Sequence, residues 1–246
     1  MADDRNFGVR RLYHRYRRRG IAFLLACCCA ALAVVASGCA KPPQRQYFMI
    51  NYEPAKMQHR AMQNPYAAVI RLREFSIEEA YNRPQIVYRL SRFELRYYNY
   101  KSWAVKPTRM LTDQFFKHLN SAQLVSSVVR RFDEGRRPDY ELTGFIEALE
   151  ELDSEDMLFA RVALRLTLTR LADGSVVYSR PFDLRRRVYT KETHHVVREM
   201  SHIMEYIFTE AISDIDTRLA AEFGIAEFEG PVFETIEQPS FLSEEE

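Results

Sequence analysis

Glycine is scarce in this chain: 246 residues hold eight, and none of them falls in a GxxxxGKS/T or GxGxxG pattern. Loops that cradle nucleotide phosphates need such glycines so that backbone N–H groups can turn toward the ligand. The protein is therefore not expected to hydrolyse ATP itself. Cysteine is scarcer still, since Cys39 is the only one after the first 38 residues and no disulfide can form within the remainder. About 200 residues bury enough apolar surface to fold without cross-links, so this shortage says nothing against an oxidising compartment. A GxSxG nucleophile motif is missing too, and no serine has neighbours that would mark a base or an oxyanion hole. No enzyme activity and no cofactor are expected.

An excess of charge of one sign is also lacking. Basic residues number 35 and acidic ones 34, but seven of the former and two of the latter lie in the first 38 positions, which leaves a net of −4 beyond them. A mildly acidic body without a basic stripe excludes nucleic acid as an expected partner, because phosphate binding needs clustered Lys and Arg. The densest basic run after the leader, Arg185-Arg186-Arg187, reads as a solvated strand edge.

What the N-terminus does have is the layout of a bacterial lipoprotein precursor. Arg10, Arg11, Arg15, Arg17, Arg18 and Arg19 precede an apolar stretch from Ile21 to Ser37, and Val35-Ala36-Ser37-Gly38-Cys39 closes it. Small residues before a cysteine let an extended chain enter a membrane-embedded peptidase, after which the acylated thiol carries the new N-terminus. Cleavage is thus expected between Gly38 and Cys39, with lipidation of Cys39. An uncleaved anchor is the alternative, since this stretch would just cross ~30 Å of hydrocarbon if untilted. Ser37 and Gly38 suit the end of a permanent span poorly.

The chain divides accordingly into a signal peptide over 1–38, a lipidated tether over 39–46, a folded domain over 47–225 and an acidic, disordered tail over 226–246. Pro42-Pro43 makes the tether extended and short, which holds the domain near the membrane. Within the domain, strands are expected at Tyr47 to Asn51, Tyr66 to Phe75 and Leu124 to Val129, with a loop from Glu53 to Pro65. Gln85 to Leu90 and Phe93 to Tyr98 form a hairpin or one bent strand. Trp103, Met110, Leu111, Phe115 and Leu119 recur near helical spacing, which predicts a helix over Pro107 to Ser121 with proline in its first turn.

Tyr140, Leu142, Gly144 and Ile146 alternate, and Val162, Leu164, Leu166 and Leu168 do so opposite Arg161, Arg165, Thr167 and Thr169. That is the pattern of a half-buried antiparallel strand. Asp173-Gly174 signals the turn into a returning strand, Val176 to Tyr189, where Pro181 marks an edge or a bulge. A long helix over Glu192 to Phe223 carries Val196, Met200, Ile203, Ile207, Ala211, Ile215 and Leu219 on one stripe, and Gly224 ends it. Two helices against a mostly antiparallel sheet make one α+β domain.

Candidate polar sites are few. His195 and His202 share a helix face with His194 beside them, but no third ligand stands at supporting spacing, so surface or packed histidines are expected and no metal site. Glu147, Glu150, Glu151, Asp153, Glu155 and Asp156 read as a solvated acidic loop between strands. The aromatic group Tyr88, Phe93, Tyr97, Tyr98, Tyr100 and Trp103 is more informative. Part of it belongs in the core; any exposed members would suit a protein partner or an acyl chain, having area with a polar tip.

Asn82-Arg83-Pro84-Gln85-Ile86-Val87-Tyr88-Arg89, followed by Tyr97-Tyr98 and Trp103, resembles the ABC-type transport auxiliary lipoproteins, the family that includes the lipoprotein partner of paraquat-inducible, mammalian-cell-entry (MCE) type lipid transport systems. The strand at Tyr47-Phe48-Met49-Ile50 and the helix at Leu111 to Leu119 sit where that family has them, while the acidic segment near Glu150 and the tail depart from it. The resemblance implies a non-catalytic, periplasm-facing component, held at the outer membrane by a lipid anchor, that docks an MCE-type periplasmic protein while another subunit hydrolyses ATP. Ala40 after the cysteine resembles lipoproteins sorted to the outer membrane. A homo-oligomer fits this role. Arg83, Pro84, Gln85, Ile86, Val87 and Trp103 are the family-motif positions, either structural or partner-binding; Pro84 would set the start of the strand and Arg83 would pair with a core carboxylate. Regulation of a cell-wall synthase is the competing reading, and an envelope hydrolase the remoter one.

Overall fold

Strand β7 (Tyr140–Ser154) is fifteen residues long and uses both of its edges, which makes it the axis of the sheet. The computed structural model describes residues 43–54, 65–131, 137–154 and 157–225. The signal peptide, the cleavage and lipidation positions Gly38 and Cys39, the first half of the tether, most of the loop after Glu53 and the acidic tail lie outside the described residues. Before β7 come β1 (Gln46–Phe48), β2 (Tyr66–Leu72), β3 (Ser76–Ile77), a single 3-10 turn (Glu79–Tyr81), β4 (Gln85–Ser91), β5 (Glu94–Trp103), helix α1 (Pro107–Ala122) and β6 (Val125–Val129). After it come β8 (Met157–Arg170), β9 (Val176–Val188) and helix α2 (Thr193–Glu222).

Along one edge of β7 runs β8, antiparallel over its whole length, and β9 pairs antiparallel with β8 in turn. The other edge is shared by β2, β3 and β4, all parallel to β7: Ile70 stands opposite Tyr140, Ser76 opposite Phe145 and Val87 opposite Glu150. β6 extends the sheet beyond β2, and β5 then β1 extend it beyond β4. Five of the eight ladders are parallel. The domain is α+β with two helices, as expected, but the sheet is mixed and mostly parallel by strand pairing, where the sequence pointed to a mostly antiparallel one. The hairpins β4–β5 and β7–β8–β9 are joined by short turns and leave local signals. Parallel partners are joined by long crossovers, and no local alternation reports them.

The core lies between one face of this sheet and the two helices. Leu158, Ala160, Val162, Leu164, Leu166 and Leu168 of β8 are buried on that face, while Arg161, Arg165 and Thr167 point the other way. On α2 the expected stripe is buried throughout, and Val197, Met204, Phe208, Ile212 and Ala220 are buried beside it. The buried arc is wider than one stripe because α2 packs on β8, β9 and α1 together. Helix α1 has Pro107 in its first turn and buries Met110, Leu111, Phe115 and Leu119; the Phe115 ring stacks on Phe208 at 4.2 Å. Trp103 belongs to the end of β5, not to the helical spacing.

Two irregular features adjust the fit of β7. The register with β8 shifts between Ile146 and Ala148, a bulge that moves the core-facing positions from Tyr140, Leu142 and Ile146 to Leu149. At Gly144 a Cβ would come within 2.6 Å of the Phe75 ring, itself packed between Phe115 and Phe208. Gly144→Ala must displace a buried aromatic, so it should destabilise the domain by about 1–3 kcal/mol, read as a lowered denaturant midpoint.

His118 is wholly buried on α1, its Nδ1 3.1 Å from the Tyr52 hydroxyl, and burial pushes its pKa down to about 4 from 6.5. The folded imidazole stays neutral while the unfolded one gains a proton below the ordinary value. Stability from this group is complete above pH 6.5 and falls as the pH drops toward 4, by about 3 kcal/mol in all. Urea midpoints measured across that window should decline, and more shallowly in His118→Gln.

Candidate functional site

The face of the sheet away from the helices carries the densest polar cluster. A small apolar floor of Tyr81, Val87, Ala148 and Ala163 lies there, and Glu150 rises beside it, fully buried. Its Oε1 and Oε2 accept hydrogen bonds from Arg89 Nε at 3.0 and 2.9 Å, Oε1 accepts one from Arg161 Nη1 at 2.8 Å, and the Tyr81 hydroxyl donates to Oε2 at 2.5 Å. Arg89 Nη2 donates back to the Tyr81 oxygen at 2.9 Å. Arg161 also forks onto Asp183 at 2.9 and 2.7 Å. Two guanidinium groups thus balance two carboxylates, and every Glu150 oxygen is satisfied. Burial, then the bond to Glu150, pushes the Tyr81 phenol up to about 12, whereas the bond from Arg161 holds Asp183 below the usual carboxylate range.

Sequence puts these groups together through strand parity. Val87 and Arg89 are two residues apart on β4 and share a face, as Ala148 and Glu150 do on β7, and Val87 stands opposite Glu150. The bulge after Ile146 is what brings Glu150 to this face. The acidic run was expected to be a solvated loop, but β7 continues through it to Ser154, and Glu150 and Glu151 are both buried. Glu151 accepts a hydrogen bond from the Tyr98 hydroxyl at 2.9 Å, and desolvation raises its pKa. Glu155 and Asp156 lie outside the described residues.

The motif positions divide as follows. The Arg83 guanidinium lies 3.8 Å above the Tyr97 ring, so it meets an aromatic face and not the core carboxylate expected for it. The Pro84 carbonyl accepts the Trp103 N–H at 2.6 Å, seating the start of β4 against the end of β5, and Gln85 pairs with Ser102. Ile86 and Trp103 enter the main core, and Val87 the small one on the opposite face. Each of these residues is tied into the sheet, and Arg89, at the end of the same run, holds Glu150.

Among the aromatic group only Trp103 is buried. Tyr88 and Tyr98 are half-buried and pack ring on ring at 4.6 Å, with Lys101 Nζ 4.0 Å above Tyr98. Tyr97, Tyr100 and Phe93 are exposed, Phe93 almost completely at the tip of the β4–β5 hairpin. The histidines are arranged otherwise than their spacing suggested: His194 and His195 lie beside Glu192 at the start of α2, with imidazole rings 3.9 Å apart, while His202 is exposed about two turns on. His194 and His202 stand in solvent and His195 is half-buried, and Glu192 is the third potential ligand beside His194 and His195 that the spacing in the sequence did not offer. The signal that could have located the Glu150 cluster was Arg161 alternating with buried residues on β8, a charge with a fixed facing.

Residues 49–211 match the model of a family described as the ABC-type transport auxiliary lipoprotein component. The chain belongs to this family. The match covers most of the folded domain and includes the Arg83 to Arg89 run. Family members are auxiliary lipoproteins of ABC-type transport systems, which implies a non-enzymatic role and a membrane-anchored place in the cell envelope. Among curated proteins no match is found. The fold is similar to that of a Xanthomonas campestris protein seen by crystallography, at 20% identity over 74% of this chain and 97% of that one, with a TM-score of 0.58. An uncharacterized protein of known structure is similar over 72% of this chain and 99% of its own, at 13% identity and a TM-score of 0.53. At such identities the likeness speaks for the fold alone.

If the charge cluster is a structural element of the family domain, breaking it should cost stability. Arg89→Met removes a guanidinium whose Nε makes two of the hydrogen bonds to a buried carboxylate and should lower the unfolding free energy by about 3 kcal/mol. Adding Glu150→Gln in the same chain should return part of that loss, as measured by chemical denaturation.

Proposed function

We propose that this protein is the lipid-anchored, periplasm-facing auxiliary component of an MCE-type ABC lipid transport system, and that it docks or positions the transporter at the outer membrane. Family membership over residues 49–211 is the observation that carries this reading. Cys39 after Val35-Ala36-Ser37-Gly38 supports the lipid anchor, and Ala40 at the next position supports sorting to the outer membrane. Each buried methylene adds ~0.8 kcal/mol, so a single acyl chain attaches only marginally and the two or three chains of a lipoprotein attach firmly. The domain itself suits an adaptor. Its charged cluster is closed on itself, Glu150 being neutralised by Arg89 and Arg161 and hydrogen-bonded by Tyr81, which leaves contact with other subunits to the rest of the surface.

Purified from membranes under mild conditions, the protein should bring down an MCE-type periplasmic protein together with permease and ATPase subunits. Recovery of a cell-wall synthase in their place would overturn the assignment. Cys39→Ser should abolish acyl labelling and leave the precursor unprocessed, seen as a mobility shift and by mass spectrometry; normal labelling of that variant would refute the anchor.

A further inference from the structure

One end of the sheet gathers exposed apolar side chains from three neighbouring strand ends. Arg89 of β4 stands opposite Leu152 of β7, Leu152 opposite Phe159 of β8, and Phe159 opposite Arg187 of β9. Two residues further on, β4, β7 and β8 reach their ends at Ser91, Ser154 and Met157, and Tyr189 follows the last residue of β9, Val188. Phe93 sits just beyond in the β4–β5 turn and is 98% exposed, Tyr189 is 87% exposed and Met157 41% exposed. At a strand spacing of roughly 4.8 Å, the β4 and β9 ends lie about 15 Å apart. Cations accompany them: Arg92 is exposed beside Phe93, and the Arg187 guanidinium lies 5.3 Å from the Tyr189 ring. A fully solvated phenylalanine at a hairpin tip, flanked by arginine and a tyrosine at the same level, has the composition of a membrane-interface contact.

The opposite end also exposes apolar groups, Leu171 and Val176 among them, so composition by itself does not choose between the ends. Strand direction does. β1 is parallel to β5, with Gln46 opposite Lys101 and Phe48 opposite Trp103. Since β5 runs away from the Phe93 turn, the chain that leads into Gln46 arrives from the Phe93 side. Cys39 is seven residues upstream of Gln46, a reach of roughly 24 Å when extended, and Lys101 is eight residues from Phe93, roughly 26 Å of strand. The tether is thus as long as the distance it has to cover along the sheet.

We infer that the end of the sheet formed by Phe93, Met157 and Tyr189 seats on the lipid leaflet to which Cys39 is attached, so that the strands stand away from the membrane and the Val176 end faces the periplasm. This rests on the lipid anchor proposed above. A surface that meets the leaflet beside the anchor turns a flexible attachment into a fixed orientation, because the acyl chains and the hairpin tip then hold the domain at separate points.

Tryptophan quenching tests the orientation. The acylated mature protein carries one tryptophan, Trp103, which is buried and supplies a constant background. Phe93→Trp, Tyr189→Trp and Val176→Trp variants are reconstituted in phosphatidylethanolamine and phosphatidylglycerol vesicles, with and without brominated acyl chains. The first two should lose most of the added emission to bromine and shift to the blue, while Val176→Trp should keep its emission. Quenching at Val176→Trp instead, or at none of the three, overturns the inference. Mass spectrometry of the same samples separates the two claims: acylated Cys39 with unquenched tips defeats only this orientation, whereas a bare sulfur defeats the anchor and the orientation with it.

Discussion

A strand that is paired along both edges has no freedom to slip, and β7 is such a strand. β8 holds one edge and β2, β3 and β4 hold the other in succession, so a one-residue shift would turn every side chain on it to the wrong face. The bulge between Ile146 and Ala148 works within this constraint. Before it, Tyr140, Leu142 and Ile146 point to the helices; after it, Leu149 does, and Glu150 is delivered to the opposite face. Continued without the bulge, the alternation would send Glu150 into an apolar core where nothing could neutralise it.

The family motif acquires a physical meaning from the same geometry. Pro84 and Gln85 dock the start of β4 on the end of β5, Ile86 and Val87 fill the cores on the two faces, and Arg89 neutralises Glu150. Each of these residues has a partner within the domain. The long ladders β7–β8 and β8–β9 stiffen the domain.

Edges of so extended a sheet invite unwanted pairing, and β9 bears the usual protections. It pairs only with β8 among the described residues, and Pro181 together with Arg185, Arg186 and Arg187 lies along it. The basic run that the sequence presented as a solvated strand edge therefore serves solubility. Arg186 reaches Glu199 of α2 at 2.9 Å, and the Arg185 guanidinium lies 6.0 Å from the Phe159 ring.

Features with a local period were legible from the residues themselves. The alternation on β8, the Asp173-Gly174 turn, the stripe on α2 and the first turn of α1 came out within a residue or two of their observed limits, because each depends on neighbours two to four positions apart. The reading of Cys39, the small residues before it and the arginine-rich head rests on the chain alone, since they lie outside the described residues. Parallel pairing, the burial of Glu150 and the placement of Phe93 and Tyr189 at the same end of the sheet were decided only in three dimensions. Each depends on residues 40 or more positions apart brought into register by β7 and its bulge, a contact that leaves no period in the sequence.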